Sequence, residues 1–138
     1  MEDNIKLEMT LPKITDVELV AIAGLEKMGV FLGIPEEKIS EARVAVIEAI
    51  INAFGHGGGD DPHVHVEIAM SREQLTILVR DHGKGFDPND VQEPNIKEKI
   101  GSAYKRGWGL KLMESMSDDL IVESRPSGTK ITIIKNLK

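Results

Sequence analysis

The sequence predicts an α/β fold, a two-layer sandwich in which helices cover one face of a sheet. Apolar residues alternate with polar ones in three short stretches and are grouped in two more, and both patterns are typical of strands. Apolar residues recur at intervals of three and four residues in three other stretches, which is typical of amphipathic helices. Since each kind of element has one apolar face to bury, we expect one mixed, mostly antiparallel sheet with a layer of helices on it.

The first part of the chain predicts a strand followed by a helix. Alternation before Pro12 predicts a strand with inward-facing Ile5, Leu7, Met9 and Leu11. Thr15 and Glu18 have the spacing of a capping box, so the first helix should begin there. Gly29 or Gly33 is the expected end of that helix, because glycine is typical just after a last helical turn.

A second helix carries the first group of candidate site residues. Pro35 suits its first turn, where a backbone N–H has no helical partner. Apolar residues then recur along one face, at Ile39, Ala42, Val46, Ile50 and Ala53. We expect this helix to end in the glycine-rich stretch at 55–59.

The second half of the chain predicts four strands and a short helix. Alternating residues indicate an antiparallel pair of strands at 64–70 and 75–79, and the apolar residues at 120–122 and 130–134 indicate two further strands. Residues 86–106 have no clear period, and segments of this length are usually functional loops or disordered. A short helix follows, marked by Leu110, Met113 and Met116.

The composition limits the functions open to this chain. Its 138 residues suit a single domain, 1–138, and its formal charge of −6 disfavours direct binding to nucleic acid. The absence of cysteine excludes disulfides, thiolate catalysis and cysteine-ligated zinc. No apolar run reaches the roughly 20 residues of a membrane helix, and the N-terminus lacks a signal-peptide pattern. We therefore expect a cytoplasmic protein without a membrane anchor.

Glu48, Asn52 and His56 are spaced four residues apart and so lie on one face of the second helix. An amide oxygen such as that of Asn52 is a hard, neutral ligand for Mg²⁺, an ion that is often shared with substrate phosphates. One turn away, Glu48 can orient or deprotonate an attacking hydroxyl group. The alternative is an ordinary amphipathic helix with a solvated glutamate and an asparagine near its end.

Asp81 directly follows a predicted strand and can accept a hydrogen bond from an exocyclic amine such as adenine N6. Gly83 and Gly85 would let the backbone approach a ligand without a clash from Cβ. Thr129, after Gly128, can reach the base through its hydroxyl group or a water. The alternatives are a surface turn at 81–85 and a threonine that only favours strand formation.

Gly107 and Gly109 lie immediately before the apolar residues of the third helix. There they can present backbone N–H groups and the positive end of the helix dipole to phosphates. Basic residues just upstream can close over those phosphates if the segment acts as a lid: Lys97, Lys99, Lys105 and Arg106. The alternative is a solvated run of charges.

These segments, in this order, resemble the ATPase superfamily of gyrase, the heat-shock chaperone and histidine kinases. Within it, the chain is most similar to the bacterial anti-sigma factor serine kinases, over nearly its whole length. The resemblance is carried by Glu48-x-x-x-Asn52-x-x-x-His56-Gly57, Asp81-x-Gly83-x-Gly85-Phe86, Gly107-x-Gly109-Leu110 and Gly128-Thr129.

The resemblance implies a Bergerat-type fold that binds ATP with Mg²⁺ and phosphorylates a serine on an anti-anti-sigma factor. It also implies binding and silencing of a sigma factor in an alternative complex, and relatives are commonly homodimers. By position, Glu48 would be the general base and Asn52 the magnesium ligand. The implied nucleotide-binding residues are Asn52, His56, Asp81, Gly83, Gly85, Lys105, Arg106, Gly107, Gly109, Leu110 and Thr129.

Two other functions stay open at this point. In the first, the protein is a non-catalytic module in which bound nucleotide sets its shape and the partner is controlled by sequestration. In the second, imidazole and carboxylate groups form a zinc site. Its candidate ligands are His56, His63, His65, Asp60 and Asp61.

Overall fold

The computed structural model describes residues 4–56, 63–82 and 102–138, with side chains except at 56 and 102–108. The predicted strands and helices are all present in these ranges. In chain order they are β1 (Ile5–Leu11), α1 (Glu18–Leu32), α2 (Glu36–His56), β2 (Val64–Met70), β3 (Gln74–Arg80), α3 (Ser102–Ser115), β4 (Asp119–Arg125) and β5 (Gly128–Asn136).

The five strands form one sheet in the order β1-β2-β3-β5-β4. The sequence predicted a mixed, mostly antiparallel sheet, and every pairing among the described strands is antiparallel. β3 and β5 are neighbours although α3 and β4 separate them in the chain, and Arg80 at the end of β3 lies opposite Lys130 near the start of β5. This pairing places the residue after β3 beside the first residues of β5.

The helices pack on one face of the sheet and enclose the core there. Buried side chains alternate along the central strands, at Val64, Val66, Ile68 and Met70 of β2, Leu75, Ile77 and Val79 of β3, and Ile131 and Ile133 of β5. They contact buried helical side chains such as Leu25 and Ile50. The two-layer arrangement is therefore confirmed. None of the helices in the described part of the chain has the length and apolar character needed to cross a bilayer.

The capping box predicted at the start of α1 is wrong. The N-cap is Val17, and no side chain caps the helix. Asp16 has a φ of 67°, and the N–H of Val17 donates to the carbonyl of Ile14, so a tight turn separates Thr15 from the first helical residues. α1 ends at Gly33, which is one of the two predicted positions. This glycine adopts a left-handed φ of 66° after the last turn.

α3 begins at Ser102, well before the predicted start near Leu110. The segment 102–106 contains alanine, lysine and arginine, which favour helix, and the two following glycines cost only about 1 kcal/mol each in a helix interior. Packing compensates for that cost, because α3 lies against α2 and its Met113 is fully buried. The rest of the segment predicted to be irregular lies outside the described residues.

Candidate functional site

Asn52 occupies an unusual position on α2. Its side chain is only 9% exposed, and neither Oδ1 nor Nδ2 has a hydrogen-bond partner within the described ranges. Leaving a buried amide unsatisfied costs about 1–3 kcal/mol, and buried polar groups of this kind usually have a partner. Such an amide, fixed in place by the surrounding helix, is suited to bind a ligand, an ion or an ordered water.

Glu48 lies one turn before Asn52 and is half-buried. Burial raises the pKa of its carboxyl group above the ordinary value for glutamate. No hydrogen bond or ion pair joins its carboxylate to a described residue, so its oxygens are available to a ligand. A carboxylate with a raised pKa is also a stronger base than an exposed one.

Gly109 of α3 lies next to this carboxylate. A Cβ atom at position 109 would be 3.2 Å from Oε2 of Glu48, and Gly109 itself is buried. The lack of a side chain at this position therefore lets α3 approach α2 closely. Leu110, the next residue, is half-buried and packs against the core.

Asp81 and Thr129 form the second part of the site, where β3 ends and β5 begins. The backbone N–H of Asp81 donates to the carbonyl of Thr129 at 2.9 Å, and the N–H of Thr129 donates to Oδ1 of Asp81 at 3.3 Å. Both residues are 2% exposed. A carboxylate can accept several hydrogen bonds, so Asp81 keeps capacity for a ligand amine.

Two further residues support this pair: Gly128, which was identified in the sequence only as part of the motif with Thr129, and Ser124, which was not identified there. Gly128 has a φ of 142°, and a Cβ there would lie 2.2 Å from the backbone oxygen of Asp81, so only glycine permits this approach. The hydroxyl oxygens of Ser124 and Thr129 are 2.9 Å apart and share a hydrogen bond. A glycine at the start of a strand was a readable signal, whereas Ser124 had none.

Lys135 was also missed in the sequence, although its side chain connects β5 to α2 and to the end of α3. It is 5% exposed on the helix-facing side of β5. Its Nζ lies 2.8 Å from Oε1 of Glu41 on α2 and donates to the carbonyl oxygen of Met116 at 3.0 Å. This ammonium group fixes the C-terminal end of α3 on the same layer as Glu48. The signal was a lysine at an inward position of an alternating strand.

The turn predicted at Gly107 and Gly109 is not formed in this structure, and their role in phosphate binding stays a prediction. Both glycines lie inside α3, where backbone N–H groups are used in the hydrogen bonds of the helix. Because residues 102–106 favour a helix, α3 begins before the two glycines. Lys105 and Arg106 lie in α3 as well, but their side chains are outside the described part.

Three other predicted site residues lie partly or wholly outside the part of the chain that the structure describes. His56 is the last residue of α2, and only its backbone is described. Gly83 and Gly85 lie outside the described residues. Their roles in nucleotide binding stay predictions.

Three of the zinc ligands proposed from the sequence cannot be placed, because Asp60 and Asp61 lie outside the described residues and only the backbone of His56 is described. Among the described residues, His65 lies close to the carboxylates of Glu8 and Glu67 on the open face of the sheet. The ammonium group of Lys6 lies 3.5 Å from each of these two carboxylates and offsets part of their charge. His63 is exposed on the same strand side, as expected for an alternating polar face.

Known proteins share this sequence pattern. Residues 15–135 match the family described as the histidine kinase-like ATPase domain. The chain is 32% identical over 105 residues to an anti-sigma F factor of Clostridium novyi, which covers 74% of this chain and 73% of that protein. It is 28% identical over 127 residues to the serine-protein kinase RsbW of Oceanobacillus iheyensis, covering 86% of this chain and 79% of the relative.

Solved structures share the fold at lower sequence identity. The RsbU and RsbW domains of a Mycobacterium tuberculosis protein match with a TM-score of 0.72 and 20% identity, covering 96% of this chain and 32% of that longer one. The histidine kinase domain of a blue-light-activated kinase from Erythrobacter litoralis matches with a TM-score of 0.55 and 19% identity, covering 88% and 63%. The chain therefore belongs to the histidine kinase-like ATPase domain family, in the branch that contains anti-sigma F factors and RsbW serine-protein kinases.

Proposed function

We propose that this protein is an ATP-dependent serine-protein kinase that also acts as an anti-sigma factor. In this role it phosphorylates a serine of an anti-anti-sigma factor and, in a separate complex, sequesters a sigma factor. The names of its relatives support both activities. Among the described residues, the observation that carries the proposal is the unpartnered, buried amide of Asn52 one turn from the half-buried carboxylate of Glu48.

The nucleotide would lie between α2 and the start of β5. Asp81 would accept a hydrogen bond from the exocyclic amine of adenine, since its carboxylate is held at the end of β3 by the N–H of Thr129. The hydroxyl of Thr129 is a further polar group on the same wall, and its hydrogen bond with Ser124 fixes its position. A buried carboxylate facing an amine favours adenine over a base with a carbonyl at that position.

Asn52 would hold Mg²⁺ through Oδ1. The residue fits the ion because its buried oxygen has no partner in the described part of the chain and is neutral and hard. The ion would supply charge neutralisation to the phosphates. No other described residue is assigned to it, because Mg²⁺ usually keeps several waters and shares phosphate oxygens with one or two protein ligands.

Glu48 would act as the general base. It would accept the proton of the serine hydroxyl as the serine oxygen bonds to the γ-phosphorus and the bond between that phosphorus and the β,γ-bridging oxygen breaks, releasing ADP. The raised pKa of Glu48 suits this role, because its carboxylate binds a proton more readily than that of an exposed glutamate. Positioning and charge stabilisation supply most of the remaining rate.

This mechanism requires α3 to change its conformation. Gly107 and Gly109 can present N–H groups to phosphates only if this part of α3 unwinds, which also moves Gly109 away from Glu48. Two glycines make such unwinding easy, since each weakens a helix by about 1 kcal/mol. The lid role of Lys105 and Arg106 depends on the same change.

The same contact favours a second candidate, the non-catalytic module. If α3 stays helical when nucleotide is bound, Glu48 is covered and bound nucleotide only sets the shape that the partner recognises. The two candidates differ in whether phosphate is transferred. Incubation with radiolabelled ATP and a serine-bearing anti-anti-sigma factor separates them, with Glu48→Gln as the variant expected to bind ATP without transferring phosphate.

Nucleotide binding itself needs a separate test. Calorimetric titration with ATP, with and without Mg²⁺, should give binding that the metal strengthens in the wild type and not in Asn52→Ala. Absence of binding in the wild type would remove both candidates. Association as a homodimer stays a prediction, to be tested by analytical ultracentrifugation.

A further inference from the structure

A cavity of about 330 Å³ lies where β3 ends and the β4–β5 hairpin turns. Most side chains around it belong to the face of the sheet that the helices do not cover or to the hairpin turn: Arg80, His82, Glu123, Arg125, Ser127 and Lys130. This volume is within the range of small-ligand sites. The cavity therefore differs from the helix-covered side, where Glu48 and Asn52 lie.

The cavity has an excess of positive charge in a chain whose formal net charge is −6, because Arg80, Arg125 and Lys130 line it together with the carboxylates of Asp81 and Glu123. Lys130 is paired with Glu123 at 3.0 Å, so those two charges largely cancel. Arg80 and Arg125 are exposed, and neither guanidinium group forms an ion pair or hydrogen bond within the described ranges. The carboxylate of Asp81 accepts the N–H of Thr129, so two guanidinium groups have no ion-pair partner beside a cavity of ligand size.

The register of the strands explains why these groups meet. Arg80 lies opposite Lys130, and Lys130 lies opposite Glu123 on the next strand. Arg125 follows Glu123 by two residues and shares its face of β4. Adjacent strands are about 4.8 Å apart, so the long side chains of Arg80 and Arg125 can reach one small ligand from two sides.

We propose that this cavity is a binding site for a small polyanion, such as a phosphate compound or a polycarboxylate, adjacent to the proposed ATP site. Guanidinium groups bind both anions through paired N–H donors, and Lys cannot reproduce that geometry. The hydroxyl of Ser127 offers one more hydrogen bond. The ligand class follows from the charge and size of the cavity and does not depend on the proposed kinase activity.

Occupation of the cavity would also affect nucleotide binding, a consequence that does rest on the proposed function. Asp81 and Thr129 line the cavity and also form the proposed base-binding wall. An anion that shifts their backbone pair would change ATP affinity, and ATP would change anion affinity by the same factor.

The test is a titration of ¹⁵N-labelled protein, without Mg²⁺, with pyrophosphate in one arm and citrate in the other. Amide shifts are compared between wild type, Arg80→Gln/Arg125→Gln and the control Arg72→Gln/Lys138→Gln. The control removes the same charge from the other end of the sheet, where Lys138 pairs with Glu73. We expect saturable shifts at residues 123–130 in wild type and control, and affinity at least about tenfold weaker in the arginine variant.

Each outcome decides the proposal. Response to pyrophosphate alone assigns a phosphate compound, response to citrate alone a polycarboxylate, and response to both a general polyanion site. No shift at 123–130, or equal affinity in the arginine variant and the control, would overturn it. Shifts confined to the region of Asn52 would report phosphate binding at the nucleotide site instead, and would also count against the cavity. Thermal unfolding of each variant verifies that it is folded.

Discussion

Gly109 lies against the carboxylate of Glu48, so closely that a methyl group at position 109 would be 3.2 Å from Oε2. The residue proposed to begin the chemistry is therefore in contact with the helix that, by sequence, was expected to form the phosphate-binding turn. This contact links the conformation of α3 to the availability of Glu48, and it can be changed by a single methyl group.

Gly109→Ala is expected to stabilise helical α3 and slow phosphate transfer. Alanine favours a helix interior over glycine by about 1 kcal/mol, and Glu48 can move aside because its carboxylate is the end of a flexible side chain. We expect a melting temperature about 2–5 °C higher and transfer about fivefold slower, because the helix must unwind for catalysis.

Gly55→Ala is the matched control for that variant. Gly55 also lies in a helix, and a Cβ there meets nothing within 4 Å. It should raise stability without slowing transfer. Faster transfer in Gly109→Ala would contradict the proposed unwinding, and a lower melting temperature would mean that Glu48 cannot move aside.

Asn52→Ala is expected to separate stability from ligand binding. Removing a buried amide that has no partner in the described structure relieves its desolvation cost, so the free energy of unfolding in urea should be unchanged or higher. The dependence of ATP affinity on Mg²⁺ should disappear. A large loss of stability would indicate that the amide already has a structural partner, and an intact magnesium effect would assign the ion to another residue.

Glu48→Gln is expected to stabilise the fold in a pH-dependent way. Burial raises the pKa of Glu48 in the folded protein, so the folded state binds a proton more tightly than the unfolded state does. The associated stability is complete below the unfolded pKa and is lost as pH rises through the folded value. Wild type and Glu48→Gln should therefore have similar stability near pH 4, and the variant should be more stable at pH 7–8.

Phosphate transfer should fall by about 10²–10⁴ in the same variant if Glu48 is the base. Glu37→Gln is the control, because Glu37 is an exposed carboxylate on the same helix. It should show neither the stabilisation at neutral pH nor the loss of transfer. If Glu48→Gln remains more stable than wild type in acid, the stabilisation does not arise from titration of the Glu48 carboxyl group.

Gly128→Ala is expected to weaken both the fold and the base-binding wall. Its Cβ would overlap the backbone oxygen of Asp81 at 2.2 Å, and a φ of 142° is strained for any residue with a side chain. We expect a loss of about 2 kcal/mol or more in urea unfolding, together with weaker ATP binding. Ser127→Ala, in the same turn, should change stability little. Equal stability of the two variants would show that β5 can move away from Asp81.

Local patterns in the sequence predicted more of the fold than of the site. Alternation located the strands, and the face shared by Glu48 and Asn52 followed from helical spacing alone. The bond between Thr129 and Asp81 was beyond such reasoning, because it joins residues 48 positions apart and requires β3 and β5 to be neighbours. The start of α3 was mispredicted because two glycines suggested a turn, while packing against α2 was invisible in the sequence.

Lys135→Met is expected to loosen the C-terminal end of α3. The substitution keeps the length and apolar stem of the side chain, but removes the ion pair with Glu41 and the hydrogen bond to the carbonyl of Met116. Loss of a charge-assisted hydrogen bond to a helix end costs about 1–3 kcal/mol. Amide hydrogen exchange should become faster at the last turn of α3. A general loss of stability would instead speed exchange throughout the core.

The ion pair between Glu41 and Lys135 should also make the stability of the protein depend on pH in the acid range. Lys135 lowers the pKa of Glu41 in the folded protein, first through its hydrogen bond and then through its charge. A lowered folded pKa gives stability that is present above the unfolded value and is lost as pH falls through the folded one. The stability difference between wild type and Lys135→Met should therefore narrow as the pH drops below about 4.5. Lys38→Met, on the same helix as Glu41 and without this hydrogen bond, should show a much smaller change. A difference that is constant with pH would mean that Lys135 acts through packing of its stem and the bond to Met116, and not through Glu41.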